Sequence, residues 1–234
     1  MTQPIPVDSD QASGAQSSAR VLIVTAVAAE RDAVLRGLGE SEGDTLFDVR
    51  AVGVGPAAAA AGTAMALAEQ PYRLVISAGI AGGFAGAAEL GELALADRII
   101  AADLGAETPD GFASVDELGF GSSAVESDAA LVERCRQALD AAGLTVRVGP
   151  LLTVSTVTGS AESAELLARR IPGAVAEAME GYGAAVAAQA RSLPVLELRA
   201  ISNMVGPRDR LAWRIKEALD ALADGAAAIR EALA

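Results

Sequence analysis

Apolar positions follow two rhythms along this chain. Residues 21–27 form a nearly continuous apolar run, the pattern of a strand buried on both faces. Residues 74–78 and 195–201 repeat it, and 47–54, 93–101 and 146–154 also read as strands, with Asp97-Arg98 interrupting one. Between them the spacing turns helical. Residues 29–38 stop at Gly39, and an Ala-rich run to Gln70 opens at Pro56, where a helix can start without losing a hydrogen bond. Ser127 and Ser160 can cap helices reaching Ala142 and Arg170, and 181–191 predicts another. Asp209 can cap a last helix with the stripe Leu211, Ile215, Leu219, Leu222, Ala226, Ile229 and Leu233. On that helix Trp213 would point roughly 200° away from Leu211, which favours an interface or site-covering role. Residues 102–125, with Pro109, four glycines, Phe112 and Phe120, predict a long loop, and such loops are usually functional or mobile.

This alternation predicts a single three-layer α/β/α domain around a central mixed, twisted sheet, spanning residues 20–234. Residues 1–19 are mostly polar and small. They read as a disordered tail rather than a signal peptide.

Composition narrows the chemistry. Hydrophobic residues make up 52% but aromatics only 3%, so the core must be built from Ala, Val, Leu and Ile. No apolar run reaches the roughly 18 residues that span a bilayer, so no membrane partner is expected and the location reads as cytoplasmic. A net charge of -13 argues against nucleic acid as a partner. The single cysteine, Cys135, lies in a helical pattern and reads as a core residue. The absence of histidine excludes Ser-His-Asp triads, Cys-His dyads and histidine-based metal sites. No metal or cofactor is expected. Chemistry must then use carboxylates, amides, arginine, hydroxyls or the backbone.

Several polar groups fall at strand ends, where ligands bind in open α/β sheets. Glu30 follows the first strand and is either a helix-start acid favoured by the dipole or a general base. The run Ser77-Ala78-Gly79-Ile80-Ala81-Gly82-Gly83 reads as a glycine-rich turn whose N–H groups could bind an anion or a sugar. Glu180 sits between Met179 and Gly181, and burying it requires donors. Two adjacent sugar hydroxyls would suit one carboxylate, with Met179 as a soft apolar face. Arg199 and Asn203 flank the end of the next strand. They are alternatively a solvent-facing charge and a turn residue.

The run 77–83, Glu177-Ala178-Met179-Glu180-Gly181, and Arg199-Ala200-Ile201-Ser202-Asn203 leading into Val205-Gly206-Pro207-Arg208-Asp209 together carry a resemblance. The chain resembles the nucleoside phosphorylase and nucleosidase superfamily from Val21 to about Leu222, and within it the futalosine hydrolases. The resemblance implies an N-ribosyl hydrolase that releases hypoxanthine from futalosine in menaquinone biosynthesis, working as a homodimer or higher homo-oligomer. It implies that Glu30 activates water, that Arg199 lies near that water, and that Met179 and Glu180 contact the ribose. Gly79, Ile80 and Gly82 would form the glycine-rich site loop. Related methylthioadenosine nucleosidases carry a glutamate where Ala178 stands, a serine at Ile80, an aromatic residue at Thr156-Val157-Thr158, and a proton-donating aspartate at Asn203. Val157, Thr158 and Asn203 would accordingly meet the base. An asparagine NH₂ is a double donor that suits N7 and O6 of hypoxanthine. Hydrogen bonding at O6 can also stabilise leaving-group charge. The alternatives are a methylthioadenosine/S-adenosylhomocysteine-type nucleosidase, a purine nucleoside phosphorylase with Arg199 as its one evident phosphate ligand, and a non-catalytic nucleoside sensor. The motifs assign no residue to the benzoate end of futalosine.

Overall fold

The computed structural model describes residues 20–39 and 46–234; the expected tail at 1–19 lies outside them. The chain opens with β1 (Arg20–Thr25), α1 (Ala28–Leu38), β2 (Phe47–Ala51), α2 (Pro56–Glu69) and β3 (Tyr72–Gly83). There follow β4 (Leu93–Ala101), β5 (Gly105–Thr108), β6 (Gly111–Ser114), β7 (Ala124–Glu126) and α3 (Ala129–Ala141). The last part holds β8 (Val146–Thr153), α4 (Ala161–Arg170), β9 (Ala176–Ala178), α5 (Gly181–Gln189), β10 (Val195–Met204) and α6 (Ile215–Leu233).

The apolar strands are buried on both faces because side chains alternate across a sheet. Val21, Ile23, Leu74, Ile76, Leu196 and Leu198 join one core with α1, α3 and α6. Their neighbours Leu22, Val24, Val75 and Val195 join a second core with α2 and α5. A sheet between two such cores is a three-layer domain.

The sheet is eight-stranded and mixed, in the order β10-β4-β8-β9-β3-β1-β2, with β7 on β4. β10 also pairs with β3, so five strands close on themselves while β1 and β2 extend from the ring. The β3–β10 pairing is parallel, and β10–β4 and β3–β9 are antiparallel. This arrangement gathers the carboxyl ends of β1, β3, β8, β9 and β10 at one place.

Four expectations need correction. The run Gly79-Ile80-Ala81-Gly82-Gly83 is not a turn. It continues β3, with Gly79 beside Arg199, Ile80 beside Ala200 and Gly82 beside Asn203. Residues 102–125 contain the β5–β6 hairpin and the start of β7 rather than an open loop. Asp128, not Ser127, caps α3, its side chain accepting from the Leu131 N–H. The last helix begins at Ile215, after a short 3₁₀ turn at Arg210–Ala212. Leu211 and Ile215 are exposed and do not belong to the apolar stripe. Trp213 precedes the helix, so the helical-wheel argument for its direction does not hold.

Candidate active site

Glu30 stands in the first turn of α1 and is buried. Its Oε2 accepts from the backbone N–H of Ala26 at 2.9 Å and of Val27 at 3.2 Å. Its Oε1 accepts from the Ile80 N–H at 2.9 Å. Three N–H groups therefore fix the carboxylate between the ends of β1 and β3. Oε2 is filled by two of these bonds, and Oε1, with one, retains lone-pair capacity for a ligand. Glu30 closes the helix start and also lines the cleft.

Arg199 is deeply buried rather than a strand-end charge in solvent. Its Nε donates to Glu197 Oε1 at 2.8 Å and its Nη2 to Ser77 Oγ at 3.0 Å. Its Nη1 lies 3.3 Å from Glu180 Oε2 and has no hydrogen-bond partner. Burial opposes the cation, but Glu197, Glu180 and Glu30 around it outweigh that and hold the guanidinium above its ordinary value. Burial pushes the Glu197 carboxyl up, against the pull of Arg199. A Cβ on Gly79 would come within 2.5 Å of Glu30 Oε1 and 2.6 Å of Arg199 Nη1, so only glycine lets the strand pass these groups.

Glu180 links β9 to α5. Its Oε1 accepts from the Gly55 N–H at 3.2 Å, across from the start of α2. Met179 and Glu180 line the same cleft as Glu30, and Ile80, Gly82 and Asn203 complete that wall. Gly79 lies behind it. Val157 and Thr158, which follow β8, face the cleft as well. Thr158 is held by Glu177 of β9, whose Oε1 accepts the Thr158 N–H at 2.8 Å and whose Oε2 accepts its hydroxyl at 2.5 Å.

Asn203 is half-buried near the end of β10 and not in a turn. Its Oδ1 accepts from Ser202 Oγ at 2.9 Å, and its Nδ2 donates to Met204 O at 3.1 Å. One amide hydrogen remains for a ligand, so two-donor recognition of a base requires the Met204 contact to open. A Cβ on Gly82 would sit 3.1 Å from Nδ2, and glycine there leaves the amide room to turn.

A profile of the phosphorylase superfamily matches residues 38–234. The chain belongs to that superfamily. Among its phosphorylase-superfamily relatives is the futalosine hydrolase of Streptomyces coelicolor, 55% identical over 221 residues, covering 87% of this chain and 92% of the relative. The futalosine hydrolase of Acidothermus cellulolyticus is 48% identical over 222 residues, covering 91% of each. Among solved structures, futalosine hydrolase of Helicobacter pylori superposes with a TM-score of 0.76 at 18% identity, covering 92% of this chain and 97% of that one. A Streptococcus pneumoniae 5′-methylthioadenosine/S-adenosylhomocysteine nucleosidase bound to a transition-state inhibitor gives 0.78 at 21%, covering 92% and 100%. At such identities the superpositions establish the fold.

Sequence reasoning gave no role to Glu197, Ser77, Ser202 or Glu177. The signal for Glu197 was present. It is a lone carboxylate in an apolar strand, two residues before an arginine, and on a strand such residues share a face. Trp213 and Arg208 also reach the cleft.

Proposed function

We propose that this chain hydrolyses the N-glycosidic bond of futalosine and releases hypoxanthine, without metal or cofactor. The observation that carries the reading is Glu30, a carboxylate fixed by three backbone N–H groups on the wall shared with Met179, Glu180 and Asn203. The identity of 55% to a futalosine hydrolase supports the choice of substrate.

The C1′–N9 bond loosens toward an oxocarbenium ion, and its electron pair passes to the purine. Glu180 accepts from the ribose hydroxyls. Glu30 orients a water molecule and takes its proton as the water oxygen bonds to C1′. Asn203 binds the departing 6-oxopurine, whose charge spreads onto O6 and N7 and is quenched by a proton from solvent. Val157 and Thr158 lie against the base.

Water rather than phosphate fits as the nucleophile. Among the described residues the one buried arginine near Glu30, Arg199, is already neutralised by Glu197 and Glu180, and the only other cation on the cleft wall, Arg208, is exposed. Chromatography of futalosine incubated with the protein tests the reading. Hypoxanthine should appear equally with and without inorganic phosphate, and a ribose 1-phosphate-type product would refute hydrolysis.

The proposal includes a cytoplasmic homo-oligomer. Leu104, Leu118 and Phe120, all exposed in the segment around the β5–β6 hairpin, support an intersubunit contact there. Sedimentation at micromolar concentration should give a dimer or larger species, and a monomer fully active at nanomolar concentration would rule it out.

A further inference from the structure

The charges along the cleft are unevenly placed. Glu30, Glu177 and Glu180 line its interior, and Arg208 is the one cation on its wall among the described residues. Arg208 is exposed and Trp213 half-buried, whereas the three glutamates are buried. The Arg208 guanidinium lies 5.4 Å from the centre of the Trp213 ring, and that of Arg210 lies 5.6 Å from it. Arg214 follows in sequence. No ion pair joins Arg208, Arg210 or Arg214 to a carboxylate among the described residues. The nearest acid in sequence, Asp209, accepts the Leu211 N–H instead. The backbone fixes the group in place, since the Arg214 N–H donates to Ser202 O at 2.7 Å, beside Asn203.

In a chain of net charge -13, three arginines within seven residues, none ion-paired among the described residues and one of them on the wall of a ligand cleft, need an explanation. A guanidinium stays charged at any working pH, and like charges held together favour a counter-charge. Ribose and hypoxanthine are both neutral, and neither requires it. A carboxylate does, because it accepts two parallel N–H bonds from one guanidinium. The Trp213 ring offers a flat apolar surface for whatever carries that carboxylate.

We infer that Arg208, seated over Trp213, forms a subsite for a carboxylate borne on an aromatic or apolar arm of the nucleoside, with Arg210 and Arg214 adding to its field. This rests on the reading of the cleft as a futalosine site, and it assigns the benzoate end of that substrate. The subsite makes the enzyme selective for acidic nucleosides over neutral ones.

Trp213 is the single tryptophan of the chain, so its fluorescence reports on the subsite directly. The E30Q variant, slow in turnover, is titrated with futalosine and with its uncharged methyl ester. The acid should bind tighter than the ester by about 10-fold or more, the scale of a charge-assisted hydrogen bond. Adding R208A should remove most of that preference, and R208K, which keeps the charge but loses the fork, should fall between. Equal affinity for acid and ester, a preference that R208A leaves intact, or no saturable binding of either would overturn the subsite. Hypoxanthine release by the wild-type protein is measured in parallel. No release alongside an Arg208-dependent acid preference overturns the hydrolase reading and leaves the subsite standing. Release without such a preference does the reverse.

Discussion

Glu197 and Arg199 lie two residues apart on one face of β10 and meet at 2.8 Å, both fully buried. Arg199 in turn stands 3.3 Å from Glu180. Gly181 makes the arrangement possible, because a Cβ there would overlap the Glu197 carboxyl. Glu197 thus acts through Arg199 on the carboxylate proposed to hold the ribose. On the proposed reading it is a positioning residue.

Removing one partner of a buried pair leaves the other charge uncompensated, which costs about 3–5 kcal/mol. E197A should therefore lower the midpoint of thermal unfolding sharply. E197Q keeps the shape and one acceptor for Arg199. It should lose less stability but raise KM for the nucleoside, as Arg199 and Glu180 shift. Thermal denaturation and steady-state kinetics check both. E197Q kinetics identical to wild type would show that Glu197 is structural filling only.

E30Q should fold normally and lose most turnover. A positioned general base contributes about 10²- to 10⁴-fold to the rate. The amide can accept from Ala26 and Val27 but turns an NH₂ toward the Ile80 N–H, so about 1 kcal/mol of stability is lost with that bond. A variant retaining half the wild-type rate would reduce Glu30 to a helix-start acid.

N203D should change base preference. An ionised aspartate repels N7 and O6 of hypoxanthine, whereas a protonated one can donate to N7 and accept from an adenine amino group. Cleavage of futalosine should fall relative to its 6-amino analogue, aminodeoxyfutalosine. The ratio of kcat/KM values is the right measure, since specificity is differential transition-state binding. An unchanged ratio would mean that Asn203 does not read the base.

Glu177 gives a pH signature. Burial raises its carboxyl above the ordinary value of 4.5, against the lowering pull of the Thr158 bonds. The folded state therefore keeps this proton where the unfolded chain has released it, and the contribution of Glu177 to stability falls as pH rises from 4.5 through the raised folded value. E177Q does not titrate and lacks this slope. The unfolding temperature of wild type relative to E177Q should be highest at low pH and decline as pH rises through that window. A difference constant with pH would contradict the assignment.

Most of the fold was legible because strand and helix periods are local. The runs at β1, β4 and α4 need only their own residues to be read. So was the placement of Glu30 and Asn203, which follow or close apolar runs, whereas Glu180 follows a strand of only three residues. What escaped depends on distant partners. The glycines of 79–83 look like a turn, yet β9 and β10 supply the pairing that keeps them extended. Trp213 looks helical, yet the Arg214 N–H bond to Ser202 O draws its segment toward β10 and delays the helix. The closed five-strand ring likewise depends on β10 pairing on both sides, which no local pattern encodes.

In the proposed reaction, water activated at Glu30 attacks C1′ of futalosine. Turnover in ¹⁸O-enriched water, followed by mass spectrometry of both products, tests it directly. One heavy oxygen should appear in the sugar product and none in hypoxanthine. A sugar product without the label, or no cleavage of futalosine at all, would contradict it.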